Sequence, residues 1–266
     1  LEEKMTDINL FGRVIITAEL EAVTALHIGG SSAGLEIGGV DKAVIRNPLN
    51  SQPYIPGSSL RGKMRSQTEK MLGLAQNNKI AIVTIHTCKK EDEYKKNGGC
   101  PVCHVFGVPA EIGYSGPTRL VVRDIALSQN SVEDLEKANT DLRYAELKTE
   151  VAIDRVTSAA TPRSLERVPA GAIFGPAEMV FGIYEKADYA RLKVVVQAMQ
   201  LVEDDYLGGA GSRGSGKVRF QNIKVTARRR EDYSTPNEFR TFNSVQDLAN
   251  AFGELEKWLA GAVPVE

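Results

Sequence analysis

The order in which its hydrophobic periods change constrains this chain most. Residues 14–22 alternate, with Val14, Ile16, Ala18 and Leu20 set against Ile15, Thr17, Glu19 and Glu21, which predicts a strand buried mostly on one face. Two glycine pairs follow, Gly29-Gly30 and Gly38-Gly39. Pro56, Ser58 and Ser59 then open a helix predicted to reach about Leu72, with Leu60, Met64 and Met71 inward and Gly73 as its stop. Strand patterns return at 118–127, 172–184 and 218–227. Between the last two, Asp188 stands where it would cap a helix carrying Leu192, Val195, Val196, Met199 and Val202 on one face and ending before Gly208-Gly209. Strand, helix, insertion, strand, arm, strand, helix, strand is the order of a split βαβ unit. The expected fold class is α+β, a ferredoxin-like or RRM-like domain with long insertions. A last amphipathic helix is predicted from the Ser244-x-x-Asp247 capping box, followed by Leu248, Phe252, Leu255 and Leu259.

Composition narrows the class. The chain has 266 residues, 25% charged and 42% hydrophobic, in the range of an ordinary globular protein. No apolar run has the length of a membrane span, and no signal-peptide pattern is visible, so the expectation is a cytoplasmic protein without a membrane partner. Residues 1–4, ahead of Met5, read as an added or trimmed terminus. A net charge of −1 excludes a uniformly basic nucleic-acid binder. The charge is uneven, however: residues 207–230 hold seven basic residues (Arg213, Lys217, Arg219, Lys224, Arg228, Arg229, Arg230) and no acidic one. One basic face on a neutral protein fits RNA on one side and protein neighbours elsewhere, and it equally fits an ordinary solvated surface.

Three cysteines, an odd number, point to metal ligation before disulfides. His86-x-Cys88 and Cys100-Pro101-Val102-Cys103 can each supply one edge of a tetrahedral site. The polar run between them is too hydrophilic to pack and would gain order from a metal. The expected metal is a structural zinc on His86, Cys88, Cys100 and Cys103, with His104 competing with His86. Four protein ligands leave no open position, which excludes catalytic zinc. The plain alternative is two loose thiols and a buried cysteine.

Three further segments suggest RNA chemistry. The Pro56-Gly57-Ser58-Ser59 turn opens a helix with Arg61, Lys63 and Arg65, where a helix N-terminus and positive charge together suit phosphate. The loop from Gly208 to Lys217, with Gly209, Gly211, Arg213 and Lys217, resembles a phosphate nest of bare N–H groups; it is not a Walker A loop. The stretch 146–163 mixes β-branched and basic residues, among them Arg155 and Arg163, and predicts a projecting arm that could wedge between bases. Beside them, Asp41 on its glycine loop could hold a divalent metal or orient a 2′-hydroxyl, although a loop aspartate is commonly a turn former. His27 is a second candidate for chemistry, or a packed strand-end histidine.

These residues converge on one family. Leu26-His27-Ile28-Gly29-Gly30, Ile37-Gly38-Gly39-Val40-Asp41, Ile55 to Arg65, Cys103 to Gly107, Val122-Arg123-Asp124, Ile153 to Thr157, Pro162-Arg163 with Glu166-Arg167, and Tyr206 to Lys217 together resemble the backbone subunits of type III CRISPR effector complexes of the Csm type, within the RAMP superfamily. The resemblance spans roughly residues 12–227. It implies a single RRM-like RAMP domain over 1–266, with a zinc-binding insertion at 78–112, a thumb hairpin at 146–171 and a C-terminal helical extension at 231–266. Implied partners are the CRISPR guide RNA, complementary target RNA, further copies in a head-to-tail filament and other type III subunits. It implies that the basic helix and glycine loop hold guide phosphates and that the thumb displaces a base. Asp41 matches the catalytic aspartate of a metal-dependent endoribonuclease, with Mg²⁺ as cofactor and Glu150, Asp124 or Glu36 as possible helpers. Two alternatives stand beside this: a structural guide-binding subunit without cleavage, and a metal-free nuclease that processes precursor RNA with His or Tyr as acid and base.

Overall fold

The alternation at the start of the chain becomes a strand whose burial alternates over all eleven residues, with Val14, Ile16, Ala18 and Leu20 at most 3% exposed. The structure, a computed structural model, describes residues 8–30, 42–95, 98–109 and 112–265. In chain order its elements are β1 (Gly12–Ala22), β2 (Tyr54–Ile55), α1 (Gly57–Met71), β3 (Asn78–Ile80), β4 (Val83–Ile85), α2 (Glu91–Lys95), α3 (Pro101–Phe106), β5 (Leu120–Val122), β6 (Ile125–Ala126), α4 (Gln129–Lys137), β7 (Glu146–Ile153), β8 (Ala160–Arg167), β9 (Ile173–Ile183), α5 (Asp188–Asp204), β10 (Val218–Arg229), β11 (Asn237–Phe242), α6 (Val245–Asn250) and α7 (Phe252–Ala262). A five-stranded antiparallel sheet runs β11-β10-β1-β9-β5. Leaving out β11, its strands stand in the order fourth, first, third, second, with α1 and α5 in the crossovers, which is split βαβ connectivity.

One core holds these parts together. The buried side of β1, β9 and β10 meets Leu60 and Met64 of α1, Leu192, Val195, Val196, Met199 and Val202 of α5, and Leu248, Leu255 and Leu259 of the C-terminal helices. Each fully buried leucine or valine there contributes about 1.5–3 kcal/mol by leaving water. The capping box is realised: Ser244 Oγ accepts from Asp247 N–H at 3.1 Å.

Four expectations need correction. Met71 is 45% exposed, because the last turn of α1 buries Thr68 and Glu69 instead. The strand predicted at 118–127 is two: β5 pairs with β9 and β6 pairs with β2. Between them Asp124 turns away, its Oδ1 accepting from Gly57 N–H at 2.7 Å. Asp188 does not cap α5; it is the first helical residue, with Ala187 at the cap. Its buried carboxylate turns back to accept from Tyr184 and Glu185 N–H and binds Arg119 Nε and Arg191 Nη1 at 3.1 and 2.7 Å. The C-terminal extension is not helical throughout, since β11 joins the sheet edge beside β10. Beyond these, Gln129–Lys137 forms α4, capped by Ser128, where no element was expected from the sequence.

Candidate nucleic-acid interface and metal centre

The backbone first brings three loops to one end of β1. Leu26 and Val168 exchange N–H···O bonds of 2.9 and 2.8 Å, so the exit of β8 lies along the segment after β1. Gly30 N–H donates to Ala43 O at 3.2 Å and Ile45 N–H to Ile28 O at 2.8 Å. The two stems of the loop bearing Asp41 therefore lie side by side. Asp41 itself, with Glu36 and the pair Gly38-Gly39, lies outside the described residues. Glu166 fastens the second stem: its N–H donates to Lys42 O at 3.1 Å and its buried carboxylate accepts from Val44 N–H at 2.8 Å and pairs with Arg46. His27 is 7% exposed with Nδ1 2.8 Å from Glu166 O, a packed strand-end histidine.

The glycine loop closes on the same segment. Gly209 N–H donates to His27 O at 2.8 Å and Gly216 N–H to Ala25 O at 3.0 Å, so these donors are engaged rather than bare. A β-carbon at Gly208, whose φ is +78°, would overlap the His27 carbonyl, and one at Gly211 would overlap the Tyr206 ring. The glycines thus buy close packing. A 3₁₀ turn over Gly211–Arg213 then lifts Arg213 toward the arm, while Lys217 is exposed.

The arm is the hairpin β7/β8, in register from Glu146↔Arg167 to Ile153↔Ala160. Its turn is built by Asp154 Oδ1, which accepts from Val156 N–H, Thr157 N–H and Thr157 Oγ1 at 2.9, 2.7 and 2.9 Å. Val151, Ile153 and Val156 are 53%, 53% and 92% exposed, and Arg155 beside them is exposed too. At its base the arm is strapped to the glycine loop. Arg213 Nε lies 2.8 Å from Glu150 Oε2, Lys148 Nζ donates to Arg213 O at 3.0 Å, and Arg167 Nη1 donates to Ser215 Oγ at 3.1 Å. Lys42, Glu150, Arg163 and Arg213 line one small cavity there. Of these, Arg163 and Arg213 were named from the sequence as RNA-binding and Glu150 as a possible helper of Asp41. Lys42 and Lys148 were not singled out, although Lys42 adjoins Asp41 and Lys148 alternates with Glu150.

The basic helix is different. Ser58 is exposed and Ser59 half-buried at its start. Arg61 Nη2 donates to Phe106 O at 2.6 Å and its Nε to Leu120 O at 3.2 Å. Burial and the neighbouring Arg65 hold the Arg61 pKa below its ordinary value. Lys63 pairs with Asp205 at 2.7 Å and sits 3.6 Å over the Tyr206 ring. Arg65 donates to Glu69 Oε1, His86 O and Gly107 O at 2.7, 2.7 and 3.0 Å. On the open face of the sheet, β1 and β10 offer no stacking platform either. There β1 carries Arg13, Ile15, Thr17, Glu19 and Glu21, and β10 carries Arg219, Gln221, Lys224, Thr226 and Arg228, without the aromatics that bind bases in RRM sheets.

The His and Cys positions converge as spaced. The donor atoms of His86, Cys88, Cys100 and Cys103 all lie within 4.8 Å of one another. His86 Nε2 is 3.8 Å from Cys88 Sγ and 3.5 Å from Cys100 Sγ, close to the edges of ~3.6–3.8 Å that a tetrahedron with zinc-type bond lengths requires. His86 Nδ1 lies 3.1 Å from Ala75 O, which orients Nε2 inward. A hydrogen bond from Cys103 brings the Cys100 thiol down to about 5, while burial pushes Cys88 up to about 11. The residues present fit a metal of zinc type. His104 is no competitor: its Nε2 lies 3.0 Å from Tyr94 O, with its ring stacked on Tyr94 at 4.1 Å.

Known proteins are similar to this chain in sequence and in fold. The RAMP superfamily model matches residues 19–219. The chain is 39% identical over 248 residues to the CRISPR system Cms endoribonuclease Csm3 of Methanothermobacter thermautotrophicus, covering 89% of this chain and 95% of that protein. It is 36% identical over 261 residues to the protein of the same description from Methanocaldococcus jannaschii, covering 97% and 98%. Among solved structures it is similar to a chain in the crystal structure of the Csm3–Csm4 subcomplex in the type III-A CRISPR-Cas interference complex, with a TM-score of 0.60, 27% identity, and 93% and 98% of the two chains covered. Matched nearly end to end in sequence and in fold, the chain belongs to the RAMP superfamily, among its Csm3 proteins.

Proposed function

We propose that this chain is a guide-binding backbone subunit of a type III CRISPR effector complex and, within it, an endoribonuclease that cuts complementary target RNA at regular intervals. The observation that carries this is the near end-to-end match to proteins named endoribonuclease Csm3. Likeness to the Csm3–Csm4 subcomplex supports other type III subunits as partners. The sheet with α1 and α5 is the RRM-like palm, residues 146–171 the thumb, and copies stack head to tail along the guide.

Asp41 is assigned as the catalytic residue. It adjoins Lys42 in the sequence, and Lys42 lines one cavity with Arg163 and Arg213, which supports phosphate-binding cations next to it along the chain. Asp41 orients the attacking 2′-hydroxyl in line with the leaving oxygen. Mg²⁺, which suits hard carboxylate oxygen, would add charge stabilisation at the phosphate. Lys42, Arg163, Arg213 and Lys217 hold RNA backbone, and the exposed apolar thumb tip displaces a base. The His–Cys cluster is a structural zinc site that orders 78–112. His27, packed with its Nδ1 on a carbonyl, offers no support for a metal-free His-based processing nuclease.

The test is a cleavage gel on the assembled complex with complementary RNA, with and without chelator. Asp41→Ala and Asp41→Asn should abolish cutting while leaving assembly and target binding intact, and chelation should stop the wild type. Wild-type cutting by either variant would move catalysis elsewhere and leave this chain a scaffold.

A further inference from the structure

Three cations surround one carboxylate at the base of the thumb, and a fourth lines the same cavity. Lys148, Arg163 and Arg213 converge on Glu150, whose side chain is 11% exposed, with Lys42 as the fourth. Arg213 Nε alone holds it at hydrogen-bonding distance, 3.0 and 2.8 Å from its two oxygens. Lys148 Nζ and Arg163 Nε stand at 3.8 and 3.7 Å, too far for hydrogen bonds. Lys42 makes no ion pair among the described residues. A cavity of about 140 Å³ lies between Lys42, Arg163, Ser164, Leu165 and Arg213. A planar carboxylate on a strand reaches one of these cations well; a larger tetrahedral anion with more acceptor oxygens would reach several at once.

We propose that Glu150 occupies the seat of an RNA backbone phosphate, and that RNA binding exchanges the carboxylate for that phosphate. The idea rests on the RNA-binding reading above and adds to it a site and an internal competitor. In the free chain Glu150 keeps the cations gathered and neutralised, strapping β7 to the glycine loop. Once phosphate enters, Glu150 is displaced and the strap is re-formed through the RNA. The competitor sets a threshold: isolated phosphates gain little, whereas a strand that places a phosphate there while holding on elsewhere wins the exchange.

The test uses the full chain and fluorescence anisotropy with a labelled single-stranded guide and with the guide–target duplex, over a series of KCl concentrations. Glu150→Gln keeps shape and loses charge. It should tighten binding by about fivefold, the scale of one partly exposed ion pair released. It should also steepen the salt dependence by roughly 0.7 in log–log slope on single strands. The gain should vanish when Arg213→Ala is combined with it, and Glu150→Asp, which keeps the charge, should bind like wild type. A gain on the guide alone assigns the seat to the guide strand; a gain confined to the duplex assigns it to the target. If Glu150→Gln binds no tighter, or Glu150→Asp gains as much, Glu150 only positions the arginines and the exchange is overturned. Failure of the wild-type chain to bind either RNA would overturn the functional reading itself, a separate outcome.

Discussion

Two basic regions of this molecule look equivalent along the chain and find different partners inside it. On α1, Arg61 and Arg65 point their guanidinium groups into the protein, onto the carbonyls of Phe106, Leu120, His86 and Gly107, and Lys63 is taken by Asp205 and Tyr206. At the thumb base, Lys148, Arg163 and Arg213 share a single carboxylate, Glu150, and Lys42 lines the same cavity. The difference lies in the supply of unsatisfied acceptors. A cation next to orphan carbonyls, such as those at the end of α3, satisfies them and becomes structural. At the thumb base the cations meet chiefly a side-chain carboxylate, and only Lys148 also donates to a loop carbonyl, that of Arg213, so the proposed reading is that their charge can be given to a ligand. The proposed phosphate grip therefore rests on the thumb and glycine loop, with α1 as the brace behind them.

The largest effect that can break this comparison is on the metal. Elemental analysis should give about one zinc per chain, as one four-ligand site requires. Stringent chelation or Cys103→Ser should disorder the insertion and lower the melting temperature more than any single substitution on α1. A metal-free chain with an unchanged melt would remove the zinc claim and, with it, the reason Arg65 is braced against His86.

Next comes Arg65→Ala, which takes from the nearly buried Glu69 carboxylate its ion-pair partner and from the His86 and Gly107 carbonyls this donor, while Phe106 O keeps Arg61. It should cost about 3 kcal/mol. At roughly 2–4 °C per kcal/mol for a chain of this size, the shift is plain in a thermal melt. RNA affinity of the folded protein should hardly move. If Arg65→Ala instead lowered RNA affinity at unchanged stability, α1 would be a binding surface after all.

Arg213→Ala should do the reverse: the melt nearly unchanged, affinity lowered alike for unrelated RNA sequences, and the salt slope reduced by about 1. Loss that depends on base identity would indicate direct readout. The smallest effect is expected for Arg155→Ala, an exposed residue at the thumb tip with no ion pair among the described residues. It should weaken duplex binding slightly and leave guide binding alone.

Much of the fold was legible because it depends on local period. The alternation in β1, the helical face of α5 and the Ser244 box each describe an element without reference to anything distant. The metal centre was legible for a similar reason, since His-x-Cys and Cys-x-x-Cys each make one edge of a tetrahedron from neighbouring residues. The choice of His86 over His104 was not, because it turns on the Ala75 and Tyr94 carbonyls that orient the two rings. The break at Arg123-Asp124 was hidden as well: the apolar run is continuous, and only Gly57, distant in sequence, needs Asp124 as its acceptor. β11 was missed because an edge strand with one paired side carries little hydrophobic signal.

By itself, then, the sequence determined the order of strands and helices, the four residues of the metal centre apart from the choice between two histidines, and the family through its combination of glycine, arginine and cysteine motifs. These are properties of residue type and short spacing. Only the tertiary structure decided which cations are available. Arg61 and Arg65 became braces, while Lys42 and Lys148 joined Arg163 and Arg213. The physical reason is that a charged side chain takes the nearest unsatisfied partner in space, and whether that partner is a helix-end carbonyl or an incoming phosphate depends on chain segments up to 171 residues apart, as between Lys42 and Arg213 (213 − 42 = 171).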